Sequence, residues 1–586
     1  MTRLLFAAVL VAALVPTTPA GADTTFTVTK TADVNDGGCL PGNCSLRDAV
    51  SAANATAGTD TISLPPGQFK LEGAAGEDAN AGGDLDVTES LKVVGAGAGA
   101  TTIDANHIDR AFDMRVNTAT LSVTNLAFTG GVDGNAGVIL TPGPALTLTG
   151  VLFKDNAAGG GGTAGFGLIH ATAGGAFALT VDHTTFDSNT SGGGGGSGFG
   201  LMDIITGPNS TVKFSDVTFT SNHVGGGTNG SGFGLIDFNA GAGAAMTVTR
   251  AVMRGNTVGG GMNASGFGLI DQLTGSLDVV DSTVSDNQVG GGASGASGFG
   301  TIVFPSSGPL TVRGSTFSGN QVGGGGATAA GFGGAIDANG SGPVTIENST
   351  FAGNTAGGGA SDATGFGGAL DLGSGTITLT NLTFVGNVAG GDSGTGGAIS
   401  PSTPANVTSK NNVFSGNTAA GVANSCGAAL GTSGGGNIDD TSSCGFTPPA
   451  DLVGNPLLGS LGAFGGLSPT VPLLPGSPAI DRGAGCSATD QRGQPRTGAR
   501  CDSGAYEFAP PSPTTGTASA IKSKGATLGG SLIPSLRAAS FHFEYGKTTT
   551  YGSQTPAQTA GGSLSAVGVT APISGLKPGT TYHFRL

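Results

Sequence analysis

Five aspartates, Asp203, Asp237, Asp271, Asp337 and Asp371, each follow a Gly-Phe-Gly phrase by the same few residues. If the chain brings them one above another, their carboxylates repel unless they are solvated, protonated or bridged by a cation. A Ca²⁺ ladder is one chemistry such a column could support, since Ca²⁺ takes oxygen ligands. A carbohydrate-binding acidic stripe is another. A row of solvated strand-end aspartates making local turn bonds asks for least, and it is the weightier expectation from sequence alone. The aligned positions in other repeats are His170, Val303 and Ser400. The Ca²⁺-binding nonapeptide Gly-Gly-x-Gly-x-Asp is absent, because the second glycine of Gly-Phe-Gly precedes the Asp by three or four residues. Ca²⁺ is the one cofactor these residues raise.

The elements that must position this column are repeats. A phrase Phe-x-x-Asn, then glycines, then Gly-Phe-Gly returns from Phe153 to Asn417. Its asparagines are Asn156, Asn189, Asn222, Asn256, Asn287, Asn320, Asn354, Asn387 and Asn417, 30 to 34 residues apart. The leading aromatics are Phe153, Phe186, Phe219, Phe317, Phe351, Phe384 and Phe414, with Met253 and Val284 as apolar equivalents. Phe166, Phe199, Phe233, Phe267, Phe299, Phe332 and Phe366 mark the same beat in Gly-Phe-Gly. A fixed period of this size means one unit stacked on copies of itself.

Short alternating segments such as Leu277–Val280 and Val344–Glu347, broken by glycine, disfavour the helical solenoids. A right-handed parallel β-helix with three strands per coil is expected instead, its coils about 4.8 Å apart. Phe would stack inward. Asn would pair amide to amide and occupy the left-handed corner of the coil. The glycine runs 192–196, 225–227 and 323–326 read as a loop extruded from one corner of every coil.

Residues 1–22 read as a secretory signal peptide: a basic start, an apolar run from Leu4 to Val15 and a small-x-small site. That run is too short to span a bilayer, and no other stretch is long and apolar enough. A secreted or cell-surface protein is expected. The net charge of -15 argues against a nucleic-acid partner. Six cysteines in an exported chain read as disulfides, in the sequence-local pairs Cys39 with Cys44, Cys426 with Cys444, and Cys486 with Cys501; other connectivities stay open.

Ser45 and Asp48 make a capping-box-like start to a short Ala-rich helix, placed to cover the first coil. Cys44-Ser-Leu-Arg-Asp-Ala49, with Thr61–Gly67, Val93–Gly97 and Thr102–Asp104, resembles the CSLREA domain of bacterial secreted β-helix proteins, with Asp48 where that family usually has Glu. This resemblance covers 23–128. Gly333–Ile336, Gly367–Leu370 and Gly396–Ile399, each followed by Phe-x-x-Asn, are similar to the repeats of chlamydial polymorphic outer-membrane proteins, surface β-helix proteins associated with adhesion. They fall in a Gly-rich repeat region, 129–420. Within 421–508, Asn455–Leu458, Pro475–Asp481, Thr489–Gly493 and Cys501–Glu507 resemble the choice-of-anchor Q ending of bacterial surface β-helix proteins, expected to close the last coil. A Pro-rich linker, 509–515, leads to 516–586, which resembles a fibronectin type III β-sandwich with a Leu-x-Pro-Gly-Thr-x-Tyr corner. It reads as a partial domain that stops inside a strand.

Pectate lyases and polygalacturonases are right-handed β-helices, so catalysis needs a test. Glycoside hydrolysis wants two carboxylates flanking the bond, and a lyase wants a base. Asp439-Asp440 lies beyond the regular coils, without a Gly-His-Gly or Arg-x-Lys partner. The coils offer Lys213, Arg250, Arg254 and Arg313 as strong bases, and His183 and His223 sit singly. No catalytic residue is assigned. The expectation is an all-β, pectate lyase-like solenoid, monomeric and non-catalytic, acting in adhesion or in binding a polysaccharide or cell-surface ligand. A β-helix lyase or glycoside hydrolase, and a structural stalk, are the alternatives.

Overall fold

The computed structural model describes residues 22–586 apart from 37, 160–163, 193–195, 227–229, 260–264, 291–296, 324–328, 359–361, 497–499, 536–537 and 564. The glycine-run loops fall largely on these, as does the signal segment, and so lie outside the described residues.

The repeats form a parallel β-solenoid. Each coil lays down one strand on each of several sheets. One sheet of fourteen strands runs from Thr25–Thr27 to Thr432–Ser433, one of eleven from Leu85–Val87 to Ile399–Pro401, and another of fourteen from Gly67–Lys70 to Leu452–Val453. A fourth sheet of ten two-residue strands runs from Ala157–Ala158 to Val422–Ala423. The sequence reading of three strands per coil missed this last sheet, because a two-residue strand carries no periodicity. Its final pairing, Thr418–Ala419 with Val422–Ala423, turns antiparallel. That hairpin closes an edge that would otherwise offer unpaired backbone groups.

The register explains the sequence. In the first sheet alternate residues point inward, as Val212 and Phe214 over Met246 and Val248, then Leu277 and Val279. Period-two strands paired without slippage place every apolar residue inside. The inward Phe column stacks face to face, Phe153 on Phe186 at 4.7 Å and Phe186 on Phe219 at 4.8 Å. Met253 and Val284 continue it in register, and Phe317, Phe351, Phe384 and Phe414 resume it. Each ring pair adds about 0.5–1.5 kcal/mol beyond its burial.

The asparagines form a buried ladder beside it. Asn256 Nδ2 donates to Asn287 Oδ1 and to the carbonyl of Phe219, while its Oδ1 accepts from Asn222. The same set recurs from Asn156 to Asn417. The left-handed residue of this corner is not the Asn but the one before it: Asp155, Ser188, Ser221, Gly255, Asp286, Gly319, Gly353, Gly386 and Gly416 all have φ between 54° and 65°. The Asn is committed to its ladder bonds, and the preceding residue absorbs the turn.

The helix Leu46–Asn54 starts at Ser45 with a complete capping box to Asp48. Arg47, 1% exposed, grips Asp33 with two 2.8 Å bonds and donates to the carbonyls of Gly82, Gly83 and Asp84. This pins the helix across the first coils. Cys39–Cys44, Cys426–Cys444 and Cys486–Cys501 are disulfides.

Residues 468–496 and 500–506 follow the last coil. They fold back along the flank of earlier ones: Gln491 bonds Thr316 and Thr350, Asn348 bonds Thr489 and Arg496, and the Ala505 N–H donates to Thr383. Thr316, Thr350 and Thr383 are buried beneath this segment, whereas the equivalent Thr185 and Thr218 are half-buried. The C-terminal part has antiparallel sheets of its own, centred on Gly525–Ile533 between Ser512–Thr515 and Val567–Ser574. Its Tyr582 hydroxyl accepts from the Lys577 N–H, a tyrosine-corner contact.

Candidate functional site: a groove of phenylalanines and aspartates

The Gly-Phe-Gly phrase is where the coil returns from the short sheet toward the eleven-stranded one. A Cβ on Gly232 would lie 2.4 Å from the Val224 carbonyl oxygen, so the backbones approach too closely for any side chain. Gly234 takes φ of +129° to redirect the chain into Ile236–Ala240. On that strand Ile236 and Phe238 face the core, so Asp237 between them faces outward.

In-register pairing carries this outward position through all eleven strands: Asp86, Asp113, Leu140, His170, Asp203, Asp237, Asp271, Val303, Asp337, Asp371 and Ser400. The column therefore reaches two aspartates, Asp86 and Asp113, that precede the regular repeat and were missed in the sequence. The alignment of Phe112 and Ile139 as inward neighbours was the signal that could have found them.

Four of the five predicted aspartates are not solvated. Asp203, Asp271, Asp337 and Asp371 are buried and Asp237 is half-buried, and the Gly-Phe-Gly phenylalanines run beside Asp203, Asp237 and Asp271. Phe166, Phe199, Phe233, Phe267, Phe299, Phe332 and Phe366 stack at 4.9–5.2 Å with ring planes within 10° of parallel. All seven are half-buried. Rings stacked along the solenoid axis cover each other's faces, so they offer the groove their edges, the positive rim of the quadrupole.

Between Phe166, Phe199, Phe233 and Phe267 on one side and Asp203, Asp237 and Asp271 below lies a groove of about 360 Å³. Ile205, Asn239 and Leu273 form its far wall, with Ile205 and Leu273 among the exposed large apolar side chains. The sequence marked these phenylalanines only as a beat; their role as a wall needed the fold.

Burial pushes Asp203 up to about 8, helped by the charge of Asp237. It pushes Asp237 up to about 7 and Asp271 up to about 8, the latter again with Asp237 contributing. Asp337 is raised well above the ordinary value by burial and then by Asp371 and Asp271. Asp371 rises to about 7 through burial, opposed by the Leu372 N–H. Asp203 Oδ2, Asp271 Oδ1 and Asp337 Oδ1 have no hydrogen-bond partner. At neutral pH Asp203 and Asp271 on the groove floor thus hold their protons and have free bonding capacity, while Asp237 between them is about half ionised. A cation between rungs would reverse this by favouring the ionised form.

His170 stands at the head of the column. Its ring stacks on Phe166 at 5.3 Å, and its Nδ1 donates to the Asn135 carbonyl at 2.8 Å. That bond leaves Nε2 as a lone pair, 3.7 Å from Asp203 Oδ2 and without a partner of its own. Burial lowers its pKa and keeps it neutral.

The other polar candidates lie elsewhere. Asp439 and Asp440 bond to Thr441 and to the Gly416 N–H. His183 is exposed beside Asp182, Arg250 pairs with Asp216, Arg254 with Asp286, and Lys213 and Arg313 are exposed. None of them lines the groove.

No protein-family model and no curated protein matches the sequence. Among solved structures, the A-modules of two Azotobacter vinelandii mannuronan C-5 epimerases are similar. The AlgE4 module is 14% identical, covering 70% of this chain and 99% of that module, with a TM-score of 0.29. The AlgE6 module is 16% identical, covering 61% of this chain and 94% of that module, with a TM-score of 0.21. At these TM-scores the likeness is too loose to locate a site or a chemistry.

Proposed function

We propose that this chain is an exported, non-catalytic surface or secreted solenoid that holds an extended glycan along its axis. The groove carries this reading. It presents four aromatic edges, Phe166, Phe199, Phe233 and Phe267, over three carboxyls, Asp203, Asp237 and Asp271, with His170 at the column position of the first coil, a periodic surface suited to a periodic ligand. Protonated carboxyls donate to sugar hydroxyl or carboxylate oxygens, and ring edges tolerate the same oxygens. The CSLREA-like start, the polymorphic outer-membrane-like repeats and the choice-of-anchor Q-like ending belong to this reading. So does the division at 23–128, 129–420, 421–508, 509–515 and 516–586. Secretion rests on the signal-like residues 1–22, and three disulfides agree with an oxidising compartment. No described helix is long and apolar enough to cross a membrane.

A Ca²⁺ ladder on Asp203, Asp237, Asp271, Asp337 and Asp371 remains part of the proposal as a second way to neutralise the column. Incubation with a panel of acidic polysaccharides, with and without Ca²⁺, tests both. Saturable retention without turnover supports the binder; Ca²⁺-independent retention removes the ladder from it; no retention of any glycan refutes it.

One observation favours a second reading, a polysaccharide-active enzyme. A neutral imidazole of fixed tautomer beside a protonated acid is an acid–base arrangement. New reducing ends or unsaturated products that vanish in His170→Ala would establish it in place of the binder.

A further inference from the structure

The first coils hold a second acidic cluster outside the groove. Asp84 and Asp86 flank Leu85 on the strand Leu85–Val87, and Asp113 lies in register with Asp86. Asp109, Asp133 and the exposed Asp78 reach the same place. Two guanidiniums face these six carboxyls. Arg110, buried, touches Asp84 at 3.2 Å, Asp113 at 3.3 Å, and Asp109 and Asp133 at 3.4 Å. Arg115, about a third exposed, reaches Asp113 at 2.6 Å and Asp78 at 3.0 Å, but Asp86 only at 3.9 Å.

Buried charge persists only where it is paired, and here the four buried carboxyls of Asp84, Asp86, Asp109 and Asp113 outnumber the two guanidiniums, which Asp78 and Asp133 share from the surface. Asp84 Oδ1 and Asp86 Oδ1 make no hydrogen bond, although each residue is 2% exposed. One oxygen from each of Asp78, Asp86 and Asp113 lies within 4.8 Å of the others. Burial and the surrounding carboxyls push Asp84 up to about 8 and raise Asp86, as expected where counter-charge is short.

We propose that Asp78, Asp86 and Asp113, with Asp84 beside them, bind a Ca²⁺ ion. The donors are all hard carboxylate oxygens, which suit a cation taking six to eight oxygens at flexible geometry. They lack the nitrogen and sulfur donors typical of structural zinc. One divalent charge matches the buried carboxyls' excess of two over the guanidiniums. Arg115 shares these carboxylates and competes with the ion. The site also reaches the N-terminal helix: the Asn80 N–H donates to Asp86 Oδ2 at 2.7 Å, and Asn80 Nδ2 donates to the Arg47 carbonyl and Ser51 Oγ. An ion on Asp86 therefore fastens the helix Leu46–Asn54 to the coil below. This proposal is independent of the groove.

Calorimetric titration of Ca²⁺ into the chelator-treated full chain, with circular dichroism to verify folding, tests it. One equivalent is expected at this site, lost in Asp86→Asn and Asp113→Asn, kept in Asp286→Asn, which lies in neither this cluster nor the groove, and bound several-fold tighter by Arg115→Gln. Amide exchange over Leu46–Asn54 slows when the ion is present. No saturable heat up to millimolar Ca²⁺, a binding stoichiometry that Asp86→Asn leaves undiminished, or loss of the equivalent through Asp286→Asn alone overturns it. If Asp86→Asn fails to fold, Arg115→Gln decides: unchanged or weaker affinity contradicts the site.

Discussion

Replacing Asp271 by Asn should stabilise this protein at pH 7.5 and not at pH 4.5. Asp271 is 4% exposed, one of its oxygens is unpartnered, and burial followed by the charge of Asp237 raises its pKa from 3.8 to about 8. Below 3.8 the carboxyl is protonated in both folded and unfolded chains. As pH climbs through 3.8 the unfolded chain ionises while the folded one keeps its proton. The folded state then binds more protons, so stability falls with rising pH until about 8. At about 1.36 kcal/mol per unit, the full penalty is on the order of 5 kcal/mol, and most of it is present at pH 7.5. Asn is close to isosteric and carries no ionisation penalty. It forfeits about 1 kcal/mol if its amide bonds less well than the acid did.

The expected outcome is a gain of a few kcal/mol at pH 7.5 in chelator, falling to about zero at pH 4.5, where the penalty relieved and the bonding forfeited are each about 1 kcal/mol. Stacked coils need not unfold in one step, so a global midpoint is a blunt reading. Native-state hydrogen exchange at Ile270 and Ile302 reports the local free energy directly. If Asp271→Asn costs as much at pH 7.5 as at pH 4.5, or more, the carboxyl is ionised and paired, and the protonated floor of the groove is wrong.

Asn256→Ala should cost about 2–4 kcal/mol, because it orphans the buried Asn222 N–H and removes a donor from the Phe219 carbonyl; exchange at Asn222 checks this, and an effect below about 0.5 kcal/mol would dismiss the ladder as a stabiliser. Arg47→Ala leaves Asp33 and three carbonyls facing a void, a loss of about 3–5 kcal/mol. Proteolysis near Leu46–Asn54 should accelerate accordingly, and unchanged susceptibility would contradict the pinning role. Gly232→Ala should lower the expression of folded protein sharply, since its Cβ meets backbone on two sides; a normally folded variant would show that the groove wall can shift.

The solenoid was legible because its period is written in residues with few substitutes: an inward ring, a laddering amide and a glycine with no room for Cβ. Asn222, Asn256 and Asn287 give the stacking axis before any coordinates. The two-residue strands escaped, since Thr190–Ser191 holds its place through neighbouring coils and not through a pattern of its own. The site was half legible. The Asp column follows from spacing, but whether it is wet or dry depends on where Phe233 points, and a Gly-Phe-Gly phrase does not state that. Asp86 and Asp113 escaped because their coils lack the repeated phrase. The course of residues 468–496 and 500–506 along the flank was equally hidden, since Gln491 meets Thr316 across 175 positions.

The most direct measurement is the affinity of the full chain for acidic oligosaccharides of increasing length, beside the Phe233→Ala variant. Phe233 sits mid-wall, stacked between Phe199 and Phe267 at 5.0 and 4.9 Å, and its removal opens the groove without touching the inward core. Affinity should climb with length until the stretch from Phe166 to Asp271 is filled, and should fall at least tenfold in the variant. Binding that ignores chain length, or that Phe233→Ala leaves unchanged, would place the ligand elsewhere.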